Sequence, residues 1–571
     1  MFIKWLLQYD FLTSAWQRVH KILFISIWNV YSEWETSSIV FIFPHPGIIR
    51  CENSFGSNWS VHGSFHADRE TNNLSQESTS LCKISAILHC KKTTATASLN
   101  SQTKPFIIMN RNTDRISNLP SSLLIIIASF LPFKEAARTS VLSKQWLNIW
   151  RDAMHIQFNE TFFVKSDEPE ENRKVQREVF INFARQFIAN YSQQVIKTLG
   201  LACSKPADFL SDIQNILMFA SSRDVRELGL DFSDPTWREQ ALENHQAAFE
   251  LPLLVYEHGQ VLRSLKLFSC SFKVSNFSNF CSLKTLSLGW IKINMGSISA
   301  ILDSCPLLEN LSLKKCWDIE NFEISKPGSR LKSLVLEKCD IAYDGVLIEG
   351  PKLQFFKFSG NVGEFLLKNQ SDLVKAELDF EMETEFDEIG LFLYNLLQDL
   401  FAAQVLTVCS VFLQIVPSGD EPLGLQAPID VRHLILKTAL HINEFCGIKF
   451  MLRSCPHLEI LTIDIVPANI LPDYGAPYPF NPHGFWSKDL TAEECVTGTL
   501  KAVNVKGFTG MMNELHVLRY LLYSGRAMEE LNLYVSGEGG SNGETREFYM
   551  GRAQQVLQFN KASRNLNIAV L

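Results

Sequence analysis

The sequence predicts an α/β protein: a small all-helical unit, then a long, irregular solenoid of strand-and-helix coils, closed at its C-terminal end by one more α/β turn. Three observations carry that prediction. The pattern L-x-x-L-x-L begins at Leu262, Leu283, Leu308 and Leu331, and starts roughly 20 to 25 residues apart are the period of a stacked repeat. The string L-x-S-C-P-x-L-E-x-L occurs twice, at 302–311 and 452–461. The stretch 114–150, DRISNLPSSLLIIIASFLPFKEAARTSVLSKQWLNIW, is apolar and punctuated by prolines where helices start and stop.

Residues 1–110 do not resemble the rest. They hold Trp5, Trp16, Trp28, Trp34 and Trp59 and then a polar tract rich in Ser, Thr and Asn. Lys4, Asp10, Arg18 and Lys21 break the apolar start, and the uncharged run 22–32 falls short of the ~20 residues that span a bilayer. A disordered extension is expected, with a signal peptide as the alternative reading.

The helical unit, 111–158, divides into three. Pro120 suits the first turn of a helix over 121–130, Pro132 ends it, 134–140 forms a second helix, and Ser143 caps a third that puts Trp146, Leu147 and Trp150 on one face. Residues 159–224 read as a charged linker and an amphipathic lead-in. The solenoid follows over 225–498. Its clean repeats are flanked by degenerate ones at Val225, Leu353, Leu373, Ala403, Val431 and Leu458, and the series runs on through Leu500 and Met528. In each coil the patterned residues point into a shared core, so Leu265, Leu286, Leu311 and Leu334 are expected inside. Ser-Cys-Pro before a strand ends a helix, because proline biases the residue before it to extended geometry. In 499–571, strand 500–505, helix 514–523 and strand 528–534 make the closing turn.

Composition excludes several functions. With 571 residues, 46% of them hydrophobic, the chain has core for about two to four domains. A net charge of −8 without a basic cluster argues against nucleic acid. Thirteen scattered cysteines fit free thiols in a reducing compartment, hence the cytoplasm and/or nucleus, with no membrane partner. There is no H-E-x-x-H, G-x-S-x-G, Walker loop or paired C-x-x-C, and no cofactor is expected. The glycines at 537–543 have the wrong spacing for a dinucleotide fingerprint and read as a flexible connection. Cys270, Cys316 and Cys339 each lie three residues past the last strand leucine. Without histidines in that register they read as structural thiols, not a metal site. The acidic run Asp379 to Glu388 reads as a solvated loop, with a basic partner as the alternative.

The motif LPSSLL…ASFLPFKEAARTSVLSKQW…W resembles the F-box of plant F-box proteins, the doubled S-C-P string is similar to that of plant F-box/LRR proteins, and 499–571 looks like the FBD region that closes many of them. Two departures stand out. Gln145 replaces the arginine usual before the tryptophan, and Ile125-Ile126-Ile127-Ala128 is more uniformly apolar than usual. In the family the F-box lies near the N-terminus, and Met109, just before NRNTDRISNLP, is where such a product is expected to begin.

The resemblance implies a non-catalytic adaptor. Its F-box docks a Skp-type adaptor protein, and through it a cullin, in an SCF-type ubiquitin ligase, while the solenoid holds a protein substrate. The docking residues implied are Leu119, Pro120, Leu131, Pro132, Val141, Leu142 and Trp146, with Leu123, Leu147 and Trp150 as core. Strand alternation turns Ser264, Lys266, Phe268, Thr285, Ser287, Asn310, Ser312, Ser333, Val335, Phe355 and Lys357 onto one concave face. Phe268 and Phe355 are expected to project as substrate anchors. Two alternatives remain: a repeat scaffold that does not assemble with the ligase, suggested by Gln145 and the atypical N-terminal extension, and a secreted repeat protein, suggested by the apolar start.

Overall fold

The computed structural model describes residues 119–571 except 194, 235–248, 327, 350–352, 382–388, 419–426, 472–475, 483, 488–491 and 538–544. Before them it describes the backbone of three strands, β1 (Ser38–Ile42), β2 (Gly47–Asn53) and β3 (Trp59–Phe65), paired as an antiparallel meander. The rest of what was expected for 1–110, including the apolar start, lies outside the described residues. Among those described, no helix is long and apolar enough to cross a membrane. The chain divides into two compact units.

The smaller unit contains the helical stretch. Helix α1 (Ser121–Ser129) starts behind Pro120 and α2 (Phe133–Arg138) behind Pro132, each proline at the N-cap with extended backbone. Both lack a side-chain cap, and a proline just ahead of the first turn is the start signal they share. A 3-10 turn, Thr139–Val141, prolongs α2, and Arg138 Nη1 pairs with Glu135 Oε1 at 2.7 Å. The third helix expected from Ser143 does not form. The segment runs as turns into a 3-10 turn at Ile149–Asp152 and then β4 (His155–Asn159). Among the described residues Ser143 Oγ is buried without a hydrogen-bond partner, so it caps no helix there.

The unit gains its core from beyond the helical stretch. Helix α3 (Glu170–Ala189) supplies Phe183 and Phe187. Phe187 meets Phe133 at 5.4 Å, Phe158 at 5.5 Å and Trp150 at 5.7 Å between ring centroids, mostly edge to face, the geometry aromatic quadrupoles favour. Tyr191 Oη donates to the Ala153 carbonyl at 3.1 Å. Strand β5 (Thr198–Ala202) follows, and helix α4 (Leu210–Ser221) leads into the repeats.

In the larger unit, parallel strands stack one per coil. In chain order they are β6 (Glu227–Asp231), β8 (Ser264–Phe268), β10 (Thr285–Gly289), β11 (Asn310–Lys314), β13 (Ser333–Glu337), β15 (Phe355–Asn361), β17 (Lys375–Glu381), β18 (Val405–Val408), β19 (His433–Thr438), β20 (Ile460–Ile465), β21 (Ala502–Phe508), β22 (Glu530–Val535) and β23 (Asn567–Val570). A short parallel pair, β7 (Phe249–Glu250) with β9 (Cys270–Ser271), lies beside them. The register is set by the leucines: Leu265, Leu286, Leu311 and Leu334 fall in one row, and Leu267, Leu288, Leu313 and Leu336 in the next, all buried. Every degenerate repeat puts its patterned residues inside as well.

The back of the stack is less regular. Helices cover it at α5 (Leu253–Glu257), α6 (Met295–Ser304), α7 (Ile389–Asp399), α8 (Ser410–Ile415), α9 (Phe445–Ser454), α10 (Glu494–Gly498), α11 (Met512–Ser524) and α12 (Arg546–Val556). Helix α6 is capped by Asn294, whose Oδ1 accepts from the Ser297 N–H at 2.9 Å. The two Ser-Cys-Pro turns close alike: the Leu308 N–H donates to the Cys305 carbonyl at 3.1 Å and Leu458 to Cys455 at 3.2 Å.

Helices throughout the back were expected, and three central coils differ. They carry a second parallel sheet of β12 (Glu320–Ile324), β14 (Ile341–Glu349) and β16 (Phe365–Lys368). Phe322 and Ile324, Val346 and Ile348, and Phe365 and Leu367 are buried at period two, the strand period. Asp399 Oδ2, at the end of α7, accepts from the Leu367 N–H at 2.8 Å and satisfies the edge of β16. The segment 499–571 continues the stack through β21, α11, β22 and α12 to β23, the last strand of the sheet.

Candidate protein-binding surfaces

The sequence offers two surfaces, one in each unit. In the helical unit, α1 is apolar all round, and its 3.6-residue period decides which side is which. Leu124, Ile127 and Ala128 are buried, whereas Leu123 (45% exposed), Ile126 and Phe130 (52% exposed) form a stripe at i, i+3 and i+7 on the other side. Val141 and Leu147 are also exposed. Large apolar groups left in water at this density mark an interaction surface.

Several expectations need correction. Trp146 is completely buried and Leu131 only 4% exposed, so neither is open to a partner. Leu123 and Leu147, expected as core, face solvent, while Trp150 is core as expected. The cause is the missing third helix. A continuous helix would align Trp146, Leu147 and Trp150, but the turns send Trp146 in and Leu147 out, and Trp150 Nε1 bonds back to the Leu147 carbonyl at 3.1 Å. Leu119 and Leu142 are half-buried and Pro120 and Pro132 exposed. Gln145, where the family pattern has arginine, donates through Nε2 to the Leu119 carbonyl at 2.8 Å and ties the start of α1 to the turns.

The second surface is the outward face of the long sheet. The residues between the leucines line up in rows: Ser264, Thr285, Asn310, Ser333 and Phe355 in one, and Lys266, Ser287, Ser312, Val335 and Lys357 in the next. Neighbouring rungs bond to each other, as Asn310 Nδ2 does to Thr285 Oγ1 at 3.2 Å. Phe268 and Phe355 do not project as expected. Both are half-buried, and the Phe268 ring lies along the sheet. The Phe268 ring crosses Gly289, where a Cβ would sit 2.3 Å from the ring edge, and the Lys266 ammonium stands 4.9 Å from its centroid. Lys375 Nζ stands 5.5 Å from the Phe355 centroid.

A third row, of which the sequence reading had only Phe268, runs Phe268, Gly289, Lys314, Glu337 and Ser359. Glu337 takes Lys314 at 3.2 Å and Lys357 at 3.0 Å on one oxygen. Partial burial pushes its carboxyl up, but the Lys357 hydrogen bond and the two ammonium charges outweigh that and hold it below the usual glutamate value. After this row comes a residue with left-handed backbone in four successive coils: Ser269 (φ 53°), Trp290 (φ 50°), Lys315 (φ 50°) and Lys338 (φ 51°). Each continues the ladder, its N–H donating to the next coil's carbonyl at 2.9, 2.9, 2.7 and 2.6 Å. Its signal in the sequence was positional: it always precedes an inward residue, the buried Cys270, Ile291 and Cys316 and the half-buried Cys339.

Those cysteines are thiols facing the interior. Burial pushes Cys316 up, and its thiol meets Cys339 on the next coil. Among the described residues no group of three or more His, Cys, Asp or Glu side chains could hold a metal. In the acidic run, Asp379 reaches Lys437 at 4.0 Å and Glu381 reaches Lys338 at 2.8 Å, while 382–388 and the glycine loop at 538–544 lie outside the described residues.

This architecture has known relatives. The At1g61320/AtMIF1 LRR domain family matches residues 187–533, and the F-box domain family matches 116–155. The chain belongs to the F-box/LRR-repeat family. Among its relatives in Arabidopsis thaliana, the F-box/LRR-repeat protein At1g56400 is 37% identical over 456 residues, covering 78% of this chain and 92% of the relative. At5g54820, of the same description, is 34% identical over 437 residues, 74% of this chain and 91% of the relative. The F-box/FBD/LRR-repeat protein At1g78750 is 26% identical over 452 residues, 74% and 90% of the two chains. In this F-box/LRR-repeat protein the match to the F-box covers α1, α2 and the turns, and the match to the repeats covers the sheet up to β22.

Proposed function

We propose that this F-box/LRR-repeat protein is a non-catalytic substrate adaptor of an SCF-type ubiquitin ligase. The helical unit docks a Skp-type adaptor protein, and through it a cullin, and the outward face of the sheet holds the protein to be ubiquitinated. The observation that carries the reading is the exposed stripe Leu123, Ile126 and Phe130 on a helix inside the F-box match. A unit that buries Trp146 and Leu131 yet leaves this stripe in water is built to be completed by a partner. Pro120, Pro132, Val141 and Leu147 extend the candidate docking surface, with Leu119 and Leu142 half-buried among them. The sheet adds a long surface of aligned polar and aromatic groups, the form of a binding module without chemistry of its own.

Titrating a purified Skp-type adaptor into the parent and into Ile126→Asp tests the proposal. Loss of a buried interface anchor costs at least ~2 kcal/mol, about thirtyfold in affinity, with the melting temperature unchanged. Equal affinity in the two proteins would move docking off α1. No binding by the parent would leave a repeat scaffold that does not assemble with the ligase.

A further inference from the structure

The outward positions of β8, β10, β11, β13 and β15, with the left-handed residues that follow the first four, carry Lys266, Lys314, Lys315, Lys338 and Lys357 against one carboxylate, Glu337. In a chain of net charge −8 that is a marked separation of sign. Lys314 and Lys357 share Glu337, and Lys338 reaches Glu381 on β17. Lys266 and Lys315 are held differently. Their ammonium groups stand 4.9 Å from the Phe268 centroid and 4.6 Å from the Trp290 centroid, and among the described residues neither has a carboxylate partner.

That difference decides what the patch can do. An aromatic face attracts an ammonium through its quadrupole and carries no net charge. The ring therefore fixes the position of the cation and leaves the charge available, whereas a carboxylate would cancel it. Shared use of Glu337 leaves a further excess of one between Lys314 and Lys357. On both sides the sign reverses: β6 presents Glu227 and Asp231, and β17 presents Glu377, Asp379 and Glu381 against the single Lys375. An anionic ligand is drawn to β8–β15 and turned away at β17.

We infer that this part of the sheet binds an acidic, extended segment of the target protein, whose anionic side chains meet the ammonium groups of Lys266 and Lys315. The inference rests on the reading that the outward face holds the target, and adds the chemistry of what is held. Strands ~4.8 Å apart place Lys266 and Lys357, four strands away, about 19 Å from each other. An extended chain rises ~3.3 Å per residue, so about six residues bridge them. Carboxylate or phosphoryl side chains would serve equally.

The test uses the full chain and four fluorescein-labelled probes in anisotropy titrations at low salt: octaglutamate, a phosphoserine octapeptide, octaglutamine and an oligo-dT strand. The acidic peptides should bind and octaglutamine should not. Lys266→Gln/Lys315→Gln should weaken acidic-peptide binding about tenfold, from two exposed pairs, with unchanged melting. Lys506→Gln, on the same face of β21, should leave it unchanged. Binding of one acidic peptide alone identifies carboxylate or phosphoryl as the group read. Equal binding by the double variant, or tighter binding of oligo-dT than of either peptide, overturns the inference. Adaptor titration in the same double variant separates the two readings, since ligase assembly does not pass through these lysines.

Discussion

Gly289→Ala should be destabilising for a reason that a second substitution removes. A Cβ at position 289 would sit 2.3, 2.5 and 2.8 Å from three atoms of the Phe268 ring, and such approaches are not found between real atoms. The ring cannot yield by a small tilt, because the clash spans its edge. It must rotate off the sheet, giving up its contact with β10 and the Lys266 ammonium. Overpacking of this kind costs about 1–3 kcal/mol, of which the exposed cation–π contact supplies about 0.5–1 kcal/mol. Phe268→Ala alone loses a half-buried ring, about 2 kcal/mol against the 3–5 typical of full burial. In the double variant the added methyl meets empty space, so its cost should fall to that of Phe268→Ala. Urea unfolding of the four proteins measures the coupling, expected at about 1–3 kcal/mol. Single costs that simply add, within ~0.5 kcal/mol, would mean that the ring does not lie across Gly289 in solution.

Leu265→Ala, Leu286→Ala, Leu311→Ala and Leu334→Ala should each cost about 2–5 kcal/mol in the same assay, because all four are fully or almost fully buried. Trp146→Ala should lower the stability of the helical unit by about 3–5 kcal/mol, read as lost near-ultraviolet dichroism, whereas Phe130→Ala should leave the spectrum unchanged and weaken adaptor binding. Glu337 has its carboxyl pKa lowered on folding, so its contribution to stability is present above the ordinary glutamate range and is lost as pH falls through the folded-state value. The stability difference between the parent and Glu337→Gln should therefore shrink on acidification from neutral pH, and a difference that grew would contradict the pairing with Lys314 and Lys357.

The repeat was legible because its signal is redundant. Each coil states the same alternation, and even Phe356, Ala376 and Val503 hold the positions of leucines. The facing of α1 was not legible. Leu123 through Ala128 is apolar without a break, so periodicity had no polar side to anchor on, and burial was assigned to Leu123 where the fold buries Leu124. The third helix failed for another reason: Ser143 is a good cap residue in isolation, but tertiary contacts outweighed it, with Gln145 drawn to Leu119 and Trp146 drawn inward. The second sheet did leave a trace, in the alternation Val346, Ile348 and Phe365, Leu367. Of the outward face, the first two rows follow from alternation alone. The ring-held Lys315 does not, since it and Trp290 owe their placement to a backbone turn with no residue preference in common.

That turn bears on how proteins of this kind could diversify. At Ser269, Trp290, Lys315 and Lys338 the fold asks only for a left-handed backbone, at a cost of roughly 1–2 kcal/mol per residue, compensated by a ladder hydrogen bond that any residue except proline can donate. Nothing in the bond depends on the side chain. Four adjacent positions on the rim of the sheet are thus decoupled from the architecture, and serine, tryptophan and lysine already occupy them. Under the proposed function, exchange among such residues would rewrite which targets are held while the coils beneath stay the same, which makes the rim the natural place to graft a new specificity.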